Sequence, residues 1–177
     1  LGNCDVVIDF TSAEASMSHL DAAISADAAI IIASTGFTPE QKAAIRGRRE
    51  GRVFFAPNMS VGMNVLFKLV EQTAQLLGDD FDVEIIETHH RFKKDAPSGS
   101  AKGLAEAAAA GLGRNADEDC VHGREGLVGE RTTREIGVHA VRAGDVVGDH
   151  TVVFGAPGER LELTHKATSR EVFAQGA

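Results

Sequence analysis

One short segment of this 177-residue chain concentrates groups able to move protons and bind anions: Glu87-Thr-His-His-Arg-Phe-Lys-Lys-Asp-Ala-Pro-Ser-Gly-Ser-Ala101. His89 and His90 close a strand-like run, and the loop after them carries Arg91, Lys93 and Lys94. A helix then begins after Pro97-Ser98-Gly99. The unpaired N–H groups and dipole of a helix start suit a carboxylate or a phosphate. Four basic side chains fall between Arg91 and Lys102 against one acidic one, Asp95, in a chain whose net charge is −8. That contrast points to a pocket for a small anion, with imidazole and ammonium groups able to donate protons in it. Gripping a metal with Glu87, His89 and His90 is the weaker reading, because adjacent strand residues point to opposite faces.

Two further candidates follow strand-like runs. Ser34-Thr35-Gly36-Phe37 comes after the run ending at Ile32, and Ala56-Pro57-Asn58-Met59-Ser60 after the run ending at Phe55. Ligands of open α/β sheets bind at the carboxyl ends of strands, where both would lie. Alone, each is equally well explained as a turn and a helix cap. Gly111-Leu-Gly113-Arg-Asn-Ala116 matches a loose dinucleotide fingerprint but follows an Ala-rich helix rather than a strand. It therefore reads as a helix end and loop. His19, His122, His139, His150 and His165 receive no role.

These residues need a scaffold. Val6–Ile8, Ala29–Ile32 and Val53–Phe55 are short apolar runs separated by helices at about 13–25 and from Pro39, the latter capped by Thr38. Continuous apolar strands between helices predict a parallel sheet covered on both faces. Ser60 opens a longer helix that ends at Gly78, followed by a strand from Val83 to His90 and an Ala-rich helix from about Gly99 to Ala110. Residues 111–129 read as a Gly-rich, charged loop. Three last strands, near 136–141, 151–154 and 161–165, are joined by Gly-containing turns and read as antiparallel. The expected border lies near Pro57–Ser60, giving domains 1–58 and 59–169, with 170–177 starting a helix.

Composition narrows the class. Hydrophobic residues at 43% and charged residues at 25% are those of a globular chain. The acidic balance of 26 Asp and Glu against 18 Lys and Arg disfavours nucleic acid and anionic membranes as partners. Cys4 and Cys120 form neither a disulfide framework nor a Cys-rich zinc site. No apolar run reaches spanning length, and the start LGNCDVVIDF lacks the layout of a secretory leader. The expectation is a soluble, cytoplasmic protein. With no initiator Met and a strand-like start, the sequence is also expected to be a fragment.

Taken in order, the motifs resemble the 4-hydroxy-tetrahydrodipicolinate reductase family over nearly the whole chain. They are Asp9-Phe-Thr-Ser12, Ser34-Thr-Gly-Phe37, Ala56 to Asn64, Glu87 to Ala101, Arg124-Glu-Gly126, Gly129-Glu-Arg131, Arg142 to His150 and Leu163 to Arg170. The resemblance implies a partial Rossmann-type parallel sheet followed by an α+β substrate and oligomerisation domain. It implies NADPH- or NADH-dependent reduction of a cyclic dicarboxylate, and a homotetramer. Position by position, His89 matches the proton donor/acceptor, Lys93 a second proton donor and His90 a substrate contact. Gly99 and Ser100 match a carboxylate-holding pair, where the family usually has threonine for Ser100. Ala33, Ser34 and Thr35 match one cofactor-contacting turn and Ala56, Pro57, Asn58 and Met59 another; the family usually has glycine where Ala33 stands. The family's pyrophosphate turn and ribose-reading residue precede Leu1, so this chain is expected to bind cofactor weakly or not at all. The competing readings are a non-catalytic assembly or anion-binding module of the same fold, and a metal-dependent hydrolase.

Overall fold

Alternation between strand and helix periodicity produces two compact units in the computed structural model, which describes residues 4–177. Leu1–Asn3, part of the start read above for a leader, lie outside the described residues. One unit comprises residues up to 59 together with 173–177, and the other residues 60–172. No helix among the described residues is long and apolar enough to cross a membrane.

In the first unit, β1 (Val6–Asp9), β2 (Ala29–Ile32) and β3 (Val53–Phe55) pair in that order, all parallel, with Val7 opposite Ile30 and Ile31 opposite Phe54. Helix α1 (Ala13–Ser25) is capped by Ser12, whose hydroxyl accepts from the Ala15 amide at 3.2 Å. Thr38 and Gln41 form a reciprocal capping box at the start of α2 (Pro39–Gly47). There Pro39 costs nothing, because its missing N–H would have had no helical partner. Leu20, Ala23, Ile30, Ile32, Phe37 and Ile45 form the core on one side of this sheet, while Val6, Ile8 and Phe54 on its other face are about half exposed, so the sheet is not covered on both faces as expected.

The second unit packs two helices on a five-stranded sheet. Helix α3 (Val61–Leu77) starts at the Ser60 cap and stops at Gly78, and α4 (Gly99–Leu112) starts at the Ser98 cap and stops at left-handed Gly113. The unit's other elements are β4 (Asp82–His89), α5 (Ala116–Asp119), β5 (Cys120–His122), β6 (Ile136–Arg142), β7 (Gly148–Ala156) and β8 (Glu159–Ala167), and α6 (Glu171–Gly176) has most of its residues in the 173–177 segment of the first unit. Met63, Leu66 and Val70 of α3 and Leu104 and Ala108 of α4 meet Val83, Ile85, Ile136, Val138, Val152 and Phe154 of the sheet.

Three further expectations need correction. The sheet order is β5-β6-β4-β7-β8, so β6 and β7 are not a hairpin: β4 lies between them, parallel to β6 and antiparallel to β7. The glycine-containing turn announces a reversal but not which strand will sit alongside. Its backbone is tied instead to the end of β4, with the Ala143 amide on the His89 carbonyl at 2.9 Å and the Arg91 amide on the Gly144 carbonyl at 3.1 Å. Residues 111–129 are not all loop, since α5 and β5 lie within them; β5 is a three-residue edge strand whose parallel partner, β6, is remote in sequence. Finally, β4 ends at His89 rather than His90.

The misleading glycine motif has a packing explanation. A Cβ on Gly111 would stand 2.2 Å from the Glu71 carbonyl oxygen and 2.8 Å from the Ala74 Cβ, so α4 approaches α3 only because no side chain is there. Alanine normally favours a helix over glycine by about 1 kcal/mol. The collision with backbone reverses that sign, and Gly111→Ala is expected to lower stability by about 1–3 kcal/mol, as overpacking does. Chemical denaturation measures it; an unchanged midpoint would contradict the close approach.

Candidate functional site

Strand alternation builds the centre of the site. Val83, Ile85, Glu87 and His89 occupy every second position of β4 and face inward, so two ionisable groups continue a row that begins as hydrophobic core. Glu87 is fully buried. Such a carboxylate survives only with several donors, and four are in place. The Arg142 guanidinium clamps it with Nη1 and Nη2 each at 2.9 Å, and the Ser98 amide donates to Oε1 at 3.1 Å. His89 Nδ1 supplies the fourth, closely paired to Oε2. Burial pushes the Glu87 carboxyl up, but the contacts from His89, Arg142 and the Ser98 amide outweigh it and hold it at about 2. A carboxylate on Nδ1 fixes the Nδ1–H tautomer, leaving the lone pair of Nε2 as the working end of His89. A Cβ on Gly148 of β7 would lie 3.0 Å from that Nε2, so glycine keeps the nitrogen uncovered there.

Arg142 also joins the basic loop to this centre, because its Nη2 donates to the Asp95 carbonyl at 2.7 Å. In that loop Lys93 Nζ pairs with Asp95 Oδ1 at 2.9 Å. The loop runs into the start of α4, where the Ser98 hydroxyl accepts from the Ala101 amide at 3.1 Å and Ser100 is buried beside Gly99. The second unit therefore holds His89, Lys93, Gly99 and Ser100 in one β4–loop–α4 segment. His90 is set apart: it lines a cavity of about 270 Å³ with Phe92, Asp145, Val147 and Arg170, and its Nε2 lies 3.4 Å from Arg170 Nη2. Among the described residues no group of three or more His, Cys, Asp or Glu side chains could hold a metal ion.

Residue reasoning gave Glu87 only as a weak metal ligand and left Arg142 and His150 without roles. The signal for Glu87 was present, since the alternation that separates His90 from His89 brings Glu87 alongside it. Arg142 had no local signal, being 55 residues from Glu87.

In the first unit the parallel strands bring their carboxyl ends to one edge. Asp9, at the end of β1, accepts from the Thr11 amide at 2.8 Å and the Thr11 hydroxyl at 2.6 Å, and pairs with His19 Nδ1 at 3.0 Å. Burial raises its carboxyl, and the Thr11 hydroxyl and amide, then His19 and Ser16, bring it down to about 2. Ser34 Oγ is held at 2.9 Å from Ser16 Oγ and 3.4 Å from Asp9, so its hydroxyl serves the loop itself. Ala33 is anchored by its amide on the Asp9 carbonyl at 2.8 Å, while Thr35 is exposed. After β3, Ala56 and Asn58 are half-buried, Pro57 exposed and Met59 buried. Small residues at three neighbouring strand ends fit a nucleotide, which would meet chiefly backbone at Ala33–Thr35. Ala33 does so without a left-handed backbone, since Asp27 alone among the described non-glycine residues has positive φ.

These carboxylates set an acid limit. Asp9 and Glu87 sit near 2 against ordinary values of 3.8 and 4.5, and Glu84, bound by Arg124, His139 and Arg131 despite its burial, also sits near 2. Each contributes stability that is present above its ordinary value and lost as pH falls toward 2. His150 acts earlier: burial foremost, then His89, lowers it from 6.5 to about 4, so the unfolded chain takes up its proton first. Stability is expected to fall with pH from about 6.5, by up to about 1.4 kcal/mol per pH unit for each proton. Urea midpoints at pH 7 and pH 4.5 check it, and equal values would contradict it.

Comparison with known proteins gives a consistent picture. The family description "Dihydrodipicolinate reductase, N-terminus" matches residues 1–59, and "Dihydrodipicolinate reductase, C-terminus" matches residues 62–177. A protein of Syntrophus aciditrophicus (strain SB) named 4-hydroxy-tetrahydrodipicolinate reductase is 55% identical, covering 100% of this chain and 68% of its own length. One from Anaeromyxobacter dehalogenans (strain 2CP-1 / ATCC BAA-258) with the same name is 54% identical over 100% of this chain and 66% of its own. The chain thus spans about two thirds of the length of these relatives. Among solved structures, dipicolinate-bound dihydrodipicolinate reductase from Paenisporosarcina sp. TG-14 superposes with a TM-score of 0.67 at 28% identity, covering 97% of this chain and 65% of that one.

Proposed function

The chain belongs to the dihydrodipicolinate reductase family, and we propose that it reduces 4-hydroxy-tetrahydrodipicolinate to tetrahydrodipicolinate with NADPH or NADH, in the cytoplasm, for lysine and diaminopimelate biosynthesis. The observation that carries this reading is the buried Glu87–His89 pair, clamped by Arg142 beside the start of α4. It is a proton-handling group set next to an anion-binding helix end.

In this reaction the substrate gains one hydride and one proton and loses its hydroxyl as water. Reduced nicotinamide, when bound, supplies the hydride. Ala33, Ser34, Thr35, Ala56, Pro57, Asn58 and Met59 would hold the nucleotide, in a domain spanning 1–58. The chain's own work is done in a domain spanning 59–169, with 170–177 starting the helix that follows. Gly99 and Ser100 take one ring carboxylate on their backbone amides at the positive end of α4. Lys93 opposes the remaining negative charge, and His90 is the further substrate contact that the family resemblance implies. Neutralising both carboxylates matters because a dianion resists a hydride, and the benefit grows as charge develops on the ring in the transition state. His89 exchanges a proton at Nε2 while Glu87 steadies the imidazolium through Nδ1. Lys93, paired with Asp95, is the second proton source.

A homotetramer is part of the proposal. The sheet face turned away from α3 and α4 carries Ile86 at 40% and Val141 at 43% exposure, beside a charged group in which Arg124 and Arg131 bind Glu84 at 2.7 and 3.0 Å. Apolar side chains rimmed by paired charges suit contact with other copies. Light scattering gives four chains if so and one if not. For the activity, the test is oxidation of NADPH or NADH dependent on 4-hydroxy-tetrahydrodipicolinate. Substrate-dependent oxidation supports the reading; saturable binding of both partners without turnover overturns it.

A further inference from the structure

The reaction as described leaves one buried histidine unused. His150 of β7 is 3% exposed, stands opposite Glu87 in the β4–β7 ladder, and sets its ring edge-on to His89 with centroids 5.1 Å apart. Its Nε2 lies 3.3 Å from Ser98 Oγ, while its buried Nδ1 meets no partner among the described residues. Burial, and after it the neighbouring His89, keeps this imidazole neutral at ordinary pH. It therefore carries a single N–H, on one nitrogen or the other.

The surroundings decide which. A buried N–H without an acceptor is rarer and costlier than a buried lone pair without a donor. The hydrogen therefore sits on Nε2 and is donated to Ser98 Oγ. That oxygen already accepts the Ala101 amide as the cap of α4, so both of its lone pairs are engaged. The Ser98 hydroxyl hydrogen has to seek a third group. Ser98 directly precedes Gly99 and Ser100, and an anion at the start of α4 is the acceptor that such a hydroxyl suits. His165 repeats the arrangement at the other helix. It stands opposite His150 in the β7–β8 ladder, with Nε2 3.3 Å from the Oγ of Ser60, the α3 cap, and its own buried Nδ1 unpartnered. Two cross-strand histidines each directed at a helix-capping serine make this a built feature of the sheet.

We propose that His150 is a positioning residue: by donating its Nε2–H to Ser98 Oγ, it makes the Ser98 hydroxyl an obligatory donor to the carboxylate held at the start of α4. The inference rests on the reading of that helix start as a dicarboxylate pocket. Hydrogen bonds to a charged group are the stronger kind, so losing the alignment of this one weakens binding by about tenfold or more.

Calorimetric titration with dipicolinate tests it on the parent chain and on His150→Leu, His150→Gln, Ser98→Ala and the His150→Leu/Ser98→Ala pair. His150→Leu is expected to weaken binding about tenfold. His150→Gln, whose amide N–H can reach the same oxygen, should recover most of the loss. The double variant should bind no worse than Ser98→Ala alone, because His150 acts only through that hydroxyl. Additive losses, or full affinity in His150→Leu, would overturn the proposal. Nitrogen-15 NMR of the parent protein reads the tautomer without any ligand and without a variant that has to fold: hydrogen on Nε2 is expected, and hydrogen on Nδ1 refutes the assignment. If the parent chain fails to bind dipicolinate, the pocket reading falls, and the tautomer still decides for or against the His150–Ser98 bond.

Discussion

Lys93→Ala is expected to lower turnover by about 10²–10⁴-fold, the range for removing a positioned proton donor, while leaving NADPH or NADH affinity within about twofold. The asymmetry follows from where the lysine sits. Its ammonium is held by Asp95 in the loop between β4 and α4, and that loop is bound through the Asp95 carbonyl to Arg142, itself clamped on Glu87. None of these contacts involves the strand ends that would carry the nucleotide. The loss should appear in kcat as well as in kcat/KM, since the proton is needed when charge develops on the ring, while the same ammonium also meets the substrate's charge on arrival. Fluorescence titration of the reduced nucleotide measures the second quantity. Equal losses in turnover and nucleotide affinity would show that Lys93 has no separate role in the chemistry.

The second large effect concerns Glu87, and two variants separate its functions. Glu87→Leu leaves the Arg142 guanidinium facing an apolar side chain and strips His89 of its anchor. Removing one member of a buried ion pair costs about 3–5 kcal/mol, a large fraction of the 5–15 kcal/mol typical of a whole domain. Glu87→Gln keeps the shape and can still accept one hydrogen bond, yet it loses the charge that steadies a protonated His89. The glutamine variant is expected to remain folded, to turn over about 10–100-fold more slowly, as when partners that orient a working histidine are removed, and to show His89 as a mixture of tautomers by nitrogen-15 NMR. A glutamine variant with parental turnover and a single tautomer would reduce Glu87 to a purely structural ion pair.

Much of the scaffold was legible because its signals are local. Thr38 and Ser60 each cap the helix that their position in the sequence announces, and Gly78 ends the second of these. The apolar runs of the first unit became parallel strands, but only one face of their sheet is buried, since Val6, Ile8 and Phe54 are exposed on the other. What escaped was non-local. Nothing in Ile136–Arg142 tells the reader that β4, some fifty residues earlier, will lie between it and the next strand. The pairing of Arg142 with Glu87, and of His150 with Ser98, is a consequence of that same insertion. The site was thus half visible: the β4–α4 segment reads as a unit, whereas the residues that orient it arrive from β6 and β7. His150 reads as the end of a glycine-containing turn, and nothing local shows that it lies within β7 or meets the capping serine.

In the proposed function, the start of α4 and the Glu87-anchored His89 together form a pocket for a planar dicarboxylate. Titrating isotope-labelled protein with dipicolinate and following its NMR signals addresses it directly. The expected result is saturable shifts at one site per chain, largest at the amides of Gly99 and Ser100 and at the His89 imidazole. Saturable shifts confined to other parts of the chain, or no saturable shifts at all, would contradict it.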